Sequence, residues 1–273
     1  MKNTLRLIFI GLSILPLAAF AQDHEVRNLA TFTQIGNSTS GDIYLTQGSP
    51  QHVEIVGKKD LIANVDTEIS NGQLKIQMKN HHGNWFWHDD DHLKIYITAA
   101  SIDAININGS GDLVTQGTLT GNNIVLSVNG SGTVKADLDM KGLLNADVRG
   151  SGDMTLTGKS QTLKSYVSGS GDIDLSIQVA TSAEFDVSGS GDIKVTGKAN
   201  RMDASISGSG DLDAADFETD KSTVNVSGSG DAHVFARLEL DATTSGSGDI
   251  SYKGHPPRLT THNSGNGSVS AMQ

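Results

Sequence analysis

Apolar residues recur at fixed distances on both sides of a repeated Gly-Ser-Gly triplet. The position two residues before the triplet holds Ile107, Val128, Val148, Val167, Val187, Ile206, Val226 and Thr244. The position four residues after its first glycine holds Leu113, Val134, Met154, Ile173, Ile193, Leu212, Ala232, Ile250 and Val269. Polar residues alternate with these columns, and a period of two places successive side chains on opposite faces of a strand. The pattern therefore predicts one short strand on each side of every triplet.

The triplets are spaced almost evenly along the chain. Their first glycines are Gly109, Gly130, Gly150, Gly169, Gly189, Gly208, Gly228 and Gly246, and Gly265-Asn266-Gly267 is a ninth, altered copy. The 156 residues from Gly109 to Gly265 span eight intervals, or 19.5 residues each. A fixed period of this length is typical of chains in which each repeat buries its apolar face against its neighbours.

The predicted fold is all-β: a single-stranded parallel β-helix with rungs of about 20 residues, and right-handed, as parallel crossovers are. Gly plus Pro make up only 35 of 273 residues, which argues against a disordered low-complexity chain. We expect the glycines to form a tight corner, because glycine reaches positive φ freely and allows identical corners to stack closely. The predicted corner residues are Gly109, Gly111, Asp112, Gly150, Gly152, Asp153, Gly169, Gly171, Asp172, Gly189, Gly191, Asp192, Gly208, Gly210, Asp211, Gly228, Gly230, Asp231, Gly246, Gly248 and Asp249.

An aspartate follows nearly every triplet, and Thr133 interrupts this column. Stacked rungs would bring the carboxylates about 5 Å apart, where neighbours repel by roughly 0.8 kcal/mol in water. Two interpretations offset this repulsion. Each carboxylate accepts hydrogen bonds from corner amides or serine hydroxyls in an Asx-type turn, or calcium binds between rungs. The period and the low ligand count favour the turn, and no cofactor is predicted.

Residues 22–100 lack the triplet but alternate like strands, and they are predicted to form the first rungs and a cap of the same domain. Asn71-Gly72 between two alternating runs predicts a hairpin. Residues 80–92 interrupt the alternation with a cluster rich in His, Asp and Trp. Imidazoles and carboxylates are competent ligands for transition metals, but their spacing matches no metal motif, so a surface loop is the simpler interpretation. The candidate ligands are His81, His82, His88, Asp89, Asp91 and His92.

Residues 1–21 have the pattern of a secretory signal peptide. Lys2 and Arg6 precede the apolar run from Leu7 to Leu17, and Ala19-Phe20-Ala21 forms a cleavage motif. We therefore expect an exported chain with one domain over residues 22–273: the N-terminal rungs and cap up to residue 100, then the regular repeats and a C-terminal cap over 101–273. A retained membrane anchor is the alternative for the leader. The formal charge of −11 argues against nucleic acid or an anionic membrane as partner.

Five features of the chain occur together: the run from Phe32 to Ile35, the run from Gly41 to Gly48, the run from Asn71 to Ile76, the Gly-Ser-Gly-Asp rungs, and the ending from Tyr252 to Pro256. In this combination the chain resembles the head GIN domain family of autotransporter adhesins. The resemblance covers residues 28–270 and implies a parallel β-helix in the periplasm, at the cell surface or outside the cell.

The resemblance also implies adhesion or another surface interaction without catalysis, with an envelope, glycan or protein partner. A glycan-binding or glycan-cleaving β-helix and a self-associating envelope scaffold are the alternatives. The outward column five residues after each triplet begins with Val114, Lys135 and Thr155 and shows no aromatic ladder, which disfavours a polysaccharide-cleaving groove. No nucleophile and base pair is evident in the sequence.

Overall fold

The computed structural model describes residues 23–79 and 93–272, and in them twenty strands form one continuous wound sheet. The N-terminal part contains β1 (Asp23–Val26), β2 (Gln34–Asn37), β3 (Asp42–Gln47), β4 (His52–Gly57), α1 (Lys59–Asn64), β5 (Val65–Ser70), β6 (Gln73–Met78) and β7 (Lys94–Ala99). The repeats contain β8 (Ala104–Ile107), β9 (Leu113–Gly121), β10 (Ile124–Val128), β11 (Val134–Met140), β12 (Leu143–Val148), β13 (Met154–Val167), β14 (Ile173–Val187), β15 (Ile193–Ile206), β16 (Leu212–Val226), β17 (Ala232–Thr244), β18 (Ile250–Lys253), β19 (Arg258–Asn263) and β20 (Val269–Ala271).

Equivalent positions of successive rungs stack in register, which confirms the predicted parallel β-solenoid. The solenoid has about 8 turns of ~20 residues each. In β14 and β15, Val187 lies beside Ile206 and Ile173 beside Ile193. These inward side chains are at most 1% exposed, and together they form one continuous core. Parallel pairing of this kind is compatible with either hand, so right-handed winding stays a prediction.

Close stacking of the backbone, and not a special φ angle, requires glycine at the corners. A Cβ built on Gly189 would lie 2.1 Å from the carbonyl oxygen of Gly169, one rung earlier, and one built on Gly191 would lie 2.1 Å from that of Gly171. The Gly169 carbonyl accepts the N–H of Ser190 at 3.0 Å, which draws the two corners together. No side chain fits at such distances.

The expectation of positive φ at the corner glycines is wrong. Among the described residues, positive φ occurs at Gly72, Gly117, Gly158, Gly197 and Gly254 and at Asn71. Gly158 and Gly197 (both φ 129) lie within the long strands β13 and β15, on the side of the rung that returns to the next corner. Positive φ therefore bends the return side, and the corner turns without it.

The N-terminal rungs are stacked out of sequence order. β2 pairs in parallel with both β6 and β8, and β3 pairs in parallel with both β7 and β9. The rung of β2 and β3 therefore lies between the rung of β6 and β7 and the first Gly-Ser-Gly rung. Its own corner, with Thr39 and Gly41, lies directly below Gly109 and Gly111. In chain order, β2 and β3 form the second layer of the stack, β6 and β7 form the layer below it, and β8 and β9 form the layer above it.

Antiparallel strands and a short helix close the N-terminal end. β4 pairs antiparallel with β7, and β1 pairs antiparallel with β4. β5 and β6 form the predicted hairpin, which is confirmed, with Asn71 and Gly72 at φ 53 and 75. Leu61 and Ile62 of α1 are buried against the core. This end of the core is therefore covered.

The C-terminal end differs from the N-terminal end. Within the described residues, β19 and β20 form the last layer, and no element packs over them. Leu259 of β19 is 45% exposed, whereas Leu240, directly below it in β17, is 1% exposed. The last rung therefore exposes its inward face.

We expect Gly189→Ala to destabilise the stack strongly, because its Cβ would force two bonded backbone corners apart. A loss of about 3 kcal/mol or more places it among the severe single substitutions. The matched control is Gly121→Ala, whose Cβ would meet no atom nearer than the Met140 sulfur at 3.5 Å. Thermal and urea unfolding midpoints measure both. Equal midpoints for the two variants would contradict the close-stacking account.

Candidate functional site

The aspartates that follow the triplets bond from rung to rung. The Asp172 carboxylate accepts the backbone N–H of Asp192 at 2.8 Å, and the Asp192 carboxylate accepts that of Asp211 at 2.7 Å. The same bond joins Asp42 to Asp112 (3.1 Å), Asp112 to Thr133 (2.8 Å), Asp153 to Asp172 (2.9 Å), Asp211 to Asp231 (2.7 Å), Asp231 to Asp249 (2.7 Å) and Asp249 to Ser268 (2.6 Å). We call this series the aspartate ladder. Thr133 has no carboxylate with which to extend it to Asp153.

The ladder supplies an acceptor that the backbone does not. The carbonyl of Asp192 accepts the N–H of Ile173 from the rung before, at 2.9 Å. The backbone N–H of Asp192 instead donates to the carboxylate of Asp172, which also lies in the preceding rung. Hydrogen bonds to a charged group contribute roughly 1.5–3 kcal/mol, more than the roughly 0.8 kcal/mol of repulsion between neighbours about 5 Å apart in water. These bonds join successive rungs, so they differ from the Asx-type turn expected within each corner.

In the part of the chain that the structure describes, no group of three or more His, Asp or Glu side chains is placed to hold a metal ion. His81, His82, His88, Asp89, Asp91 and His92 lie outside the described residues, and their role as ligands stays a hypothesis. The strands on either side of them are described. Ile76 of β6 lies beside Asn37, and Lys94 of β7 lies beside Asp42. Ile76 and Lys94 therefore flank the corner that joins β2 to β3.

The outward side of the strands that follow each corner carries one continuous column of side chains, which we call the post-corner face. The column runs in register through Val114, Lys135, Thr155, Asp174, Lys194, Asp213, His233 and Ser251. The N-terminal rungs extend it downwards, with Tyr44 beside Val114 and Tyr96 beside Tyr44. The two tyrosine rings stack, with centroids 5.1 Å apart and planes at 20°.

Sequence reasoning missed this tyrosine pair, because the N-terminal strands lack the triplet that sets the register. A signal was nevertheless present. Gly41-Asp42-Ile43-Tyr44 matches Gly111-Asp112-Leu113-Val114 position by position, which places Tyr44 in the same column as Val114. Tyr96 has no such marker in the sequence around it, so only the strand pairing reveals it.

A shallow groove lies on the post-corner face where the register slips. Lys194 pairs with Asp213, but Thr196 pairs with Asp216, so β16 has an extra residue at this point. Such a bulge redirects side chains locally. The groove has a volume of about 390 Å³, and the Lys194 ammonium lies 4.0 Å from the Asp213 carboxylate. Its lining consists of Asp192, Ile193, Lys194, Asp211, Asp213, Ala215 and His233.

The strands that precede each corner present a second surface, the pre-corner face, on which opposite charges pair across or along the rungs. Lys164 contacts Glu184 at 2.7 Å, and Lys221 contacts Glu239 at 3.1 Å. Arg201 binds both oxygens of Asp203 at 2.8 Å and holds the pKa of that carboxyl below its usual value. These contacts neutralise much of the charge on this face.

Asp147 on the pre-corner face is nearly buried. Burial raises the pKa of the Asp147 carboxyl, and the neighbouring Arg149 guanidinium opposes that shift. The arginine occupies the position that holds serine in the later rungs, such as Ser168 and Ser188. The pair is therefore a local contact of one rung and is not repeated in the rungs that hold serine there.

Asp192→Ala removes the acceptor of the Asp211 N–H, so we expect it to lower the stability by about 1 kcal/mol. Asp192→Asn keeps an acceptor oxygen and removes the repulsion, and we expect a smaller effect. Asp174→Ala, an exposed aspartate of the outward column, is the control for loss of a surface charge. Urea unfolding compares the three variants.

If hydrogen bonds alone support the ladder, a chelator should leave the melting temperature unchanged. A melting temperature that falls with chelator and returns with calcium would show a metal between the rungs. An Asp192→Ala midpoint equal to that of Asp174→Ala would show that the ladder adds no stability.

Among the described residues, no helix is both long and apolar enough to span a membrane. Comparison with solved structures gives several proteins of the same fold. The chain is 24% identical to a protein of Parabacteroides distasonis described as a putative lipid binding protein, with a TM-score of 0.69 over 93% of this chain and 98% of that one. It is equally 24% identical to a putative adhesin of the same species, with a TM-score of 0.70 over 92% and 97%. A putative adhesin of Parabacteroides merdae is 18% identical, with a TM-score of 0.60 over 93% and 98%.

No curated protein matches the chain. One family does, over residues 31–196 and again over residues 160–256, and its description is putative auto-transporter adhesin, head GIN domain. The two matches together span the corner stack and most of the N-terminal end. The chain therefore belongs to the head GIN domain family.

Proposed function

We propose that the chain is an exported, non-enzymatic interaction module of the cell envelope that binds its partner through the post-corner face. The observation that carries this proposal is the continuous outward column on a stiff backbone. Corner residues repeat because the stack requires them, whereas the residues of the outward column change from rung to rung. A surface that is rigid in its backbone and varied in its side chains suits recognition of an extended partner.

The outward column of the post-corner face is less self-paired than the pre-corner face, although neighbouring outward positions of the same strands hold ion pairs such as Lys159 with Asp139 at 3.0 Å. Its column places Lys135 and Lys194 among the carboxylates of Asp174 and Asp213, and the one close contact among these four is the 4.0 Å approach of Lys194 to Asp213. On the pre-corner face the charges satisfy one another at 2.7–3.1 Å. A partner that binds along this column would therefore displace few internal contacts.

Two features favour binding over catalysis or lipid storage. Asp192 and Asp211 in the groove already accept ladder bonds, which ties their carboxylates to the stack. The interior is filled by buried side chains, and the large apolar residues exposed in the described chain are scattered singly.

Export rests on the signal-peptide pattern of residues 1–21, and one domain over residues 22–273 is part of the same proposal. Family membership supports a surface location. The partner that this geometry suits is an elongated glycan or a protein of the envelope or of a host surface, since the column is long and mixed in charge. Nucleic acid is disfavoured by the net charge of −11.

The test compares capture of partners by two triple variants of opposite faces. Val114→Ser, Lys135→Glu and Lys194→Glu alter the post-corner face. Lys164→Glu, Lys221→Glu and Thr223→Glu alter the pre-corner face, on which Thr223 lies beside Asp203. The probes are bacterial and mammalian glycan arrays, immobilised extracellular-matrix proteins and isolated envelope fractions. We expect wild-type binding to at least one probe, and a loss of tenfold or more with the post-corner variant only.

Equal loss with both variants would overturn the assignment of the face. Release of reducing ends from a bound polysaccharide would show an enzyme and overturn the non-enzymatic role. Retention of the wild-type melting curve is the control that either variant is folded.

A further inference from the structure

The last rung ends in an edge that nothing in the described chain covers, and we infer that two copies of the protein associate there, end to end. The proposal concerns β19, the corner at 264–268 and β20. It is independent of what the post-corner face binds, because the edge lies at the end of the solenoid and the face along its side.

The edge presents unpaired backbone groups. Ser264 donates its N–H to Thr244 of the rung below at 3.0 Å. In a parallel ladder alternate residues point their N–H and C=O to opposite neighbours, so Leu259, Thr261 and Asn263 point theirs away from the stack. A row of unpaired groups on an edge strand is a template for another strand.

The edge lacks the usual protection against such pairing. Pro256 and Pro257 precede β19 and do not interrupt it. Residues 250–272 contain no Asp or Glu, although the chain as a whole carries −11. Their two permanent cations turn back to the rungs below, with Lys253 2.9 Å from Asp216 and Arg258 3.6 Å from Glu239. Two such ends can approach without strong repulsion between them.

The corner of the last described rung does not extend the aspartate ladder. Ser268 takes the place of aspartate, so no carboxylate is offered to a following N–H. The Asn263 side chain closes the corner on itself: its amide donates to Gly267 and its oxygen accepts the N–H of Gly265 at 3.0 Å. The Asn37 side-chain amide donates to the Gly41 carbonyl in the same way, at 3.0 Å, in the corner between β2 and β3. The aspartate ladder therefore ends at this rung, while the strand arms remain open.

These features select a second copy as the occupant. Head-to-tail stacking is blocked because the N-terminal end is closed by antiparallel strands and α1, which leaves only a face-to-face pair. A two-fold axis across the edge then places β19 antiparallel to its counterpart and brings the two Leu259 side chains into the shared core. Such an isologous contact closes after two copies.

The size of the edge predicts weak association. The β19 arm is about 20 Å long and the β20 arm about 10 Å, in two layers about 10 Å apart, so the end face is at most roughly 400 Å² per copy. About 800 Å² in total lies below the 1,200–2,000 Å² of a stable interface. We therefore expect a monomer–dimer equilibrium that appears as concentration rises.

Sedimentation and small-angle X-ray scattering of the purified protein, from about 1 to about 500 µM, test the proposal. We expect the average mass to rise from one copy towards two, and the longest dimension to nearly double. Leu259→Lys should keep the protein monomeric, because it places a charge in the shared core. Thr261→Pro should do the same, since it removes an N–H that the monomer does not use.

Leu238→Lys is the matched control, because Leu238 is 46% exposed, like Leu259 at 45%, but lies on the side of the solenoid. It should dimerise like wild type. The proposal is overturned if the wild-type protein stays monomeric at every concentration or grows into filaments. It is also overturned if Leu259→Lys dimerises normally, or if Leu238→Lys loses dimerisation to the same extent as Leu259→Lys. If the Thr261→Pro variant loses its β-sheet circular dichroism spectrum, the test rests on the Leu259→Lys variant alone.

Discussion

The whole structure depends on the distance between stacked corners. Each first glycine of a triplet offers its carbonyl to the next corner so closely that a Cβ there would lie about 2 Å from it, as at Gly189. That contact fixes the register of the strand residues next to the corner, and bulges farther along the rung, as between Lys194 and Thr196, shift it only locally. The apolar columns then meet in the interior, and the core follows from the corner. The aspartate ladder adds a side-chain bond beside this contact.

This arrangement separates the residues that hold the fold from those available for binding. Glycine and aspartate recur because the corner requires them, and the inward positions recur as apolar residues because the core does. The outward positions face water and carry no such constraint. Their side chains, from Tyr96 at one end of the post-corner face to Ser251 at the other, therefore differ from rung to rung. The described part of the solenoid also has two different ends: antiparallel strands close one, and the last described layer leaves an open edge at the other.

Much of this could be predicted from the sequence, because a fixed period identifies stacked rungs and their inward columns. The β-solenoid, the rung length and the Asn71-Gly72 hairpin all follow from local patterns. The reason for the corner glycines does not, since positive φ and close stacking both select glycine, and only the position of the Gly169 carbonyl distinguishes them. The partner of each carboxylate lies on the next rung, about 20 residues away, which a turn-based interpretation of local sequence does not anticipate. The order of the first rungs depends on long-range pairing and leaves no periodic signal.

Native-state hydrogen exchange at the corners tests the central claim most directly. An exposed turn usually exchanges its amide hydrogens quickly. In this protein the amides of Ser190 and Asp211 bond to the preceding rung, to a carbonyl in one case and to a carboxylate in the other. The account predicts that they exchange as slowly as the strand amides of β14 and β15. Exchange at the rate of an ordinary surface loop, with protected strands on either side, would contradict it.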